Sequence, residues 1–129
     1  MAIPKFPKGL IGSVESLIFS VTGTVATTTG KSRVYLEGSY VVETVRAAVN
    51  TAPTGASLIV DVNKNGTSIY ATTQANRPTI AASGNSALGG TPDTTTFASG
   101  DYIQVDVDQV GSTVAGADLT VTIRVRRTA

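Results

Sequence analysis

Leu58-Ile59-Val60-Asp61-Val62-Asn63-Lys64-Asn65-Gly66-Thr67-Ser68-Ile69-Tyr70 carries the clearest sign of the architecture. Its first half is rich in aliphatic and β-branched residues, which fit a pleated surface buried on at least one face. Asn65-Gly66 then supplies the positive φ angles that a tight hairpin turn requires. The pattern predicts a strand over 56–62, a turn at 63–66 and a partner strand over 67–72. The same residues also open like a calcium loop, with Asp61, Asn63, Asn65 and a sixth-position Gly66 in D-x-N-x-N-G spacing. The twelfth position, however, is Thr72 rather than a bidentate glutamate, and no helical pattern flanks the loop. The hairpin reading is therefore favoured and no metal site is assigned.

The same period of two continues outward in both directions. Leu17, Phe19 and Val21 alternate with Ile18, Ser20 and Thr22, which predicts a strand over 16–25. Arg33 to Leu36 reads as a short strand. Residues 40–50 also carry apolar positions at helical spacing, but Tyr40-Val41-Val42 and the alternation of Val45, Ala47 and Val49 favour a strand. Pro53 and Gly55 mark the turn that follows. Pro78-Thr79-Ile80-Ala81 fits a short edge strand, because proline is kept from central positions. Residues 82–100 are rich in Ser, Gly, Thr and Pro and read as one long irregular loop. Strands over 101–110 and 119–127 close the chain, with Leu119, Val121, Ile123 and Val125 inward. Seven or eight short strands without a convincing helix predict an all-β fold, a single antiparallel β-sandwich of jelly-roll type. We place it over residues 16–129, after an extended N-terminal arm over 1–15. Pro4 and Pro7 keep that arm out of regular structure. It is either a frayed terminus or an arm laid on a neighbouring subunit, with Ile3, Phe6, Leu10 and Ile11 as apolar anchors.

Composition narrows the chemistry. A chain of 129 residues is the size of one domain. It has no Cys and no His, which removes disulfides, thiolate or imidazole nucleophile systems and the usual zinc sites. No cofactor is expected. Charged residues make up 15% of the chain and the net charge is +1, so nothing drives it broadly toward nucleic acid. So few charges also suit a surface partly covered by neighbours. No segment is apolar for long enough to form a membrane helix. Glu15 interrupts any export-signal core, so synthesis in the cytoplasm is expected. Asp106 and Asp108 share one strand face about 7 Å apart. Glycosidases use carboxylates at comparable spacing, but strand alternation produces such pairs by default. A cross-strand partnership with Arg124 or Arg126 is the favoured reading. Arg124, Arg126 and Arg127 read as a charged, solvated or interface-facing edge.

Residues 51–70, 77–80, 100–112 and 116–121, with Pro53-Thr54-Gly55, Asn65-Gly66 and Gly100-Asp101-Tyr102 among them, resemble the small β-sandwich modules of tailed-bacteriophage virion proteins. Such modules occur in head decoration proteins, head fibres, and tail or baseplate proteins. The resemblance covers roughly residues 16–127 and rests on turn and core residues, so it carries over no catalytic residue. It implies a non-enzymatic structural protein of the virion, made in the bacterial host. It further implies a homotrimer that contacts the major capsid protein or another virion protein, without nucleic acid or membrane. A start at Met1 with its own arm favours a capsid decoration, or cement, protein. The competing implication is a tail or fibre module that recognises a host-surface receptor through the 82–100 loop.

Overall fold

Leu119, Val121, Ile123 and Val125 are each at most 1% exposed, while Arg124 between them is exposed. That alternation is what a strand packed on one face produces. The computed structural model describes residues 11–28 and 32–129, and these residues form β10 as Ala117–Arg127. β1 (Val14–Thr24) pairs antiparallel with β10 on one side and β3 (Tyr40–Thr51) pairs with it on the other. Two short strands, β7 (Ser86–Leu88) and β8 (Thr96–Phe97), complete this first sheet along β3. The second sheet is built on β4 (Leu58–Lys64) and β9 (Tyr102–Gln109), with β2 (Val34–Tyr35) on β9 and β5 (Thr67–Ser68) and β6 (Thr79–Ile80) on β4. The only helical piece among the described residues is a 3-10 turn at Gln74–Asn76.

The chain alternates between the sheets: β1, β3, β7/β8 and β10 in the first, β2, β4 to β6 and β9 in the second. With β5/β6 and β7/β8 each filling one position, the orders β1-β10-β3-β7/β8 and β2-β9-β4-β5/β6 are those of an eight-position jelly roll. The sandwich thus agrees with the sequence reading, and the larger number of strands comes from two positions that are each split. Between the sheets lies one core, in which Val45, Ala47, Leu58, Val60, Val62, Ile103, Val107, Val121 and Ile123 meet. Each fully buried aliphatic side chain there contributes roughly 1.5–3 kcal/mol of transfer free energy before entropy is counted.

Three departures from the expected strands have local causes. In β3 the register slips between Arg124↔Thr44 and Val125↔Val42, leaving Glu43 as a bulge. The inward set therefore changes from Tyr40 and Val42 to Val45, Ala47 and Val49. β5 stops at Ser68 rather than continuing to Thr72, because Ile69 and Tyr70 turn fully into the core. Residues 82–100 are not one irregular loop. Two stretches pair with β3, and Phe97 is buried at 3% exposure.

Candidate interaction surfaces

The arm anchors Ile3, Phe6 and Leu10 lie outside the described residues. Ile11 is 47% exposed at the mouth of the sandwich. Immediately after it, the Gly12 amide donates to the Arg127 carbonyl at 2.6 Å, tying the chain to the end of β10. Arg127 also reaches the Tyr40 hydroxyl, which bonds the Glu15 carboxylate. This corner fixes where the arm leaves the sandwich.

The turn residues hold the loops as their types require. Asn65 and Gly66 adopt φ of 50° and 88°, and the strands close directly around them with Lys64 opposite Thr67. Asn65 then stitches the turn to β9: its Nδ2 donates to Asp101 at 2.9 Å and its Oδ1 accepts the Tyr102 amide at 3.0 Å. That hydrogen bond from Asn65, with a second from the Ala98 amide, holds the Asp101 carboxyl below its ordinary range. At the opposite end Pro53 is buried and Gly55 sits at φ 82° against residues 112 and 113. These are structural positions.

The residues of the apparent calcium motif are all engaged elsewhere. Asp61 is 8% exposed and accepts hydrogen bonds from the Ser68 hydroxyl and the Val62 amide. Burial pushes its carboxyl above the usual range, against those two bonds. Asn63 donates to Asp106, its diagonal neighbour on the β4–β9 ladder. Among the described residues no group of three or more Asp, Glu, His or Cys is arranged to hold a metal ion. Asp106 and Asp108 line a shallow recess with Thr27 and Thr28. Their expected partnership with Arg124 or Arg126 does not form. The two sheets lie back to back, so outward residues of β9 and β10 point in opposite directions. Asp108 is paired instead with Arg77 at 2.6 Å, and Arg126 with Glu43 at 3.4 Å.

Three surface features remain. An apolar cleft of about 380 Å³ opens between the edge strands, lined by Phe19, Val21, Val34, Val105 and Val121 among others. On the second sheet Tyr35, 54% exposed, lies 5.4 Å from Tyr102, whose ring carries Arg33 at 4.4 Å. The outer face of the first sheet presents Arg46, Arg124, Glu43 and Leu88 around a shallow depression, and Ile18, at the rim of the apolar cleft, is exposed on the same face. Of these residues the sequence pointed only to Arg124, as part of a charged, solvated or interface-facing edge. The available signal was an apolar residue at an outward strand position, as at Ile18, whereas Leu88 lay in a stretch with no strand pattern. The 82–100 stretch is pinned rather than free: Asn85 donates to the Val49 carbonyl at 3.1 Å, and Asp93 accepts from the Thr72 and Thr73 amides.

No protein-family model and no curated protein matches this chain. Its fold is similar to that of a chain in the solved structure "Cyanophage Pam1 capsid asymmetric unit". The likeness has a TM-score of 0.50, covers 98% of this chain and 92% of that chain, and runs at 19% identity. At that identity the two share a fold.

Proposed function

We propose that this protein is a structural component of a tailed-phage virion, a capsid decoration protein that binds and stabilises the assembled shell as a trimer. The observation that carries the reading is the likeness to a chain of a phage capsid unit, which takes in nearly all of both chains. The residues suit it. The described surface offers apolar and arginine-bearing faces, and the carboxylates of Asp61, Asp106 and Asp108 are committed to internal hydrogen bonds and ion pairs. In this reading Ile3, Phe6, Leu10 and Ile11 anchor the arm on a neighbour, and the sandwich edges bridge capsid subunits. Binding only the assembled lattice lowers the free energy of that state.

The test is occupancy on capsids that lack this protein. The full chain binds them, and a chain lacking residues 2–10 loses most of that occupancy. The truncation removes no described residue, and thermal unfolding checks that the sandwich stays folded. Unchanged occupancy would remove the arm from the reading. A second reading, a tail or fibre module for a host-surface receptor, draws on the exposed Tyr35–Tyr102–Arg33 cluster. Binding of the full chain to host cells but not to capsids selects it. The pinning of residues 82–100 to β3 argues against those residues as a free recognition loop.

A further inference from the structure

The solvent face of an antiparallel sheet ordinarily carries polar residues and charges of both signs. The outer face of the first sheet departs from this. One cross-strand row runs Ile18–Thr122–Arg46–Leu88 over all four strands, and its two ends are 65% and 54% exposed. In the next row Arg124 lies between Ser16 and Thr44, which places it diagonally beside Arg46, about 7–8 Å away between Cα atoms. Both guanidinium groups are exposed, and neither has an ion pair or hydrogen bond among the described residues. Arg126 beyond them has Glu43. At this end of the face three arginines therefore meet one carboxylate among the described residues, while Asp118 lies at the far end of β10 and accepts the Gly23 amide.

Folding gains nothing from this arrangement. Two arginines at diagonal spacing repel, and Ile18 and Leu88 stay in water. The arrangement fits a partner instead. A guanidinium forks onto a carboxylate through two parallel hydrogen bonds, and interface centres are rich in Arg and poor in Lys. The small Ser and Thr side chains keep the platform flat. We infer that the outer face of the first sheet docks an acidic protein surface, with Arg46 and Arg124 taking its carboxylates and Ile18 and Leu88 buried beside them. This deepens the assembly reading above and rests on it for the class of partner. A nucleic acid is the poorer fit, since among the described residues the face has no aromatic residue to stack on bases and no lysine to follow phosphates. A second copy docked face to face would set arginine against arginine.

The test compares the full chain with Arg46→Glu/Arg124→Glu, Arg46→Lys/Arg124→Lys and Ile18→Ser/Leu88→Ser. All the changed side chains point outward, and thermal unfolding followed by circular dichroism checks that each variant folds. The probes are capsids lacking this protein, a ~20-residue poly-glutamate peptide and a duplex DNA, at about 50 and 300 mM salt, which brackets strong and weak screening. The full chain binds capsids and poly-glutamate, more weakly at the higher salt. The glutamate variant loses roughly tenfold or more on both, the lysine variant loses less, and the serine variant loses capsid affinity. Four results overturn the inference: wild-type affinity in the glutamate variant, no poly-glutamate binding at low salt, tighter binding to DNA, or self-association that the glutamate substitutions abolish. A chain that ignores capsids yet binds poly-glutamate through Arg46 and Arg124 overturns the decoration reading and leaves this one standing.

Discussion

Asp61 and Asp93 both accept hydrogen bonds from backbone amides and hydroxyls, yet they act on stability in opposite directions with pH. Asp93 is exposed and accepts the backbone amides of Thr72 and Thr73 and the Thr73 hydroxyl. Those bonds, led by that of the Thr72 amide, hold its carboxyl below the ordinary range, so its contribution is present at neutral pH and is lost on acidification. Asp61 is buried, and burial raises its carboxyl despite Ser68 and Val62. The folded state then holds the Asp61 proton to higher pH than the unfolded chain does. As pH rises through that interval, ionisation costs the fold stability. Beside it, Tyr70 is fully buried and its hydroxyl has no hydrogen-bond partner among the described residues. Burial first, and the Asp61 charge second, push that phenol up to about 12. Asp61→Asn keeps the shape and removes the charge. We expect it to unfold at or above the wild-type temperature at about pH 7, with a smaller gain near pH 3, below the ordinary aspartate pKa. Thermal melts at the two values check this. A wild type that is the more stable protein at pH 7 would mean that the ionised Asp61 is a net gain to the fold.

At the scale of elements, the two predicted turns differ in what they tolerate. A Cβ on Gly66 would meet only the Tyr102 hydroxyl, at 3.6 Å, so Gly66→Ala carries just the left-handed backbone cost of about 1–2 kcal/mol. A Cβ on Gly55 would stand 2.3 Å from the Ser112 Oγ and 3.0 Å from the Thr113 amide nitrogen. Gly55→Ala adds a steric clash to the same backbone cost, and we expect a loss of ~3 kcal/mol or more. Urea unfolding of the two variants measures the difference. Equal losses would mean that the 111–116 loop yields freely. The sequence showed both turns because Asn-Gly and Pro-x-Gly carry their backbone angles in their residue types. It showed β9 and β10 because their alternation runs unbroken. It hid what depends on a partner strand. The Glu43 bulge exchanges the inward parity midway through β3, and of the residues at helical spacing Val45 and Val49 face the core while Val41 and Ala48 face outward. β7 and β8 are three and two residues long, too short to display a period, and exist only because β3 offers them an edge. The true partners of Asp108 and Arg126 were equally invisible, since period two places a residue on a face but does not say which sheet it belongs to. The arginine face was hidden for the same reason: Arg46 and Arg124 are far apart in the chain and meet only through the β10–β3 register.

The whole molecule has a single core among the described residues, shared by both sheets. The Gly12 amide and the Ser13 carbonyl both pair with Arg127, so the sandwich is closed from residue 12 onward. This separates two roles the arm can have. A frayed end adds nothing to stability, and full and truncated chains then unfold alike at every concentration. An arm laid on a neighbouring copy, as proposed for Ile3, Phe6 and Leu10, contributes its apolar contacts only in the oligomer. The oligomer then stabilises the folded state by mass action, and the unfolding temperature rises with protein concentration. We expect the full chain to show this rise across a hundredfold range of concentration, and to sediment as a trimer at the upper end. The chain lacking residues 2–10 keeps every described core residue and should show one cooperative transition, but at a temperature that does not depend on concentration. A flat response from the full chain would restrict the arm to contacts with other proteins, leaving the sandwich faces as the place where any copies meet.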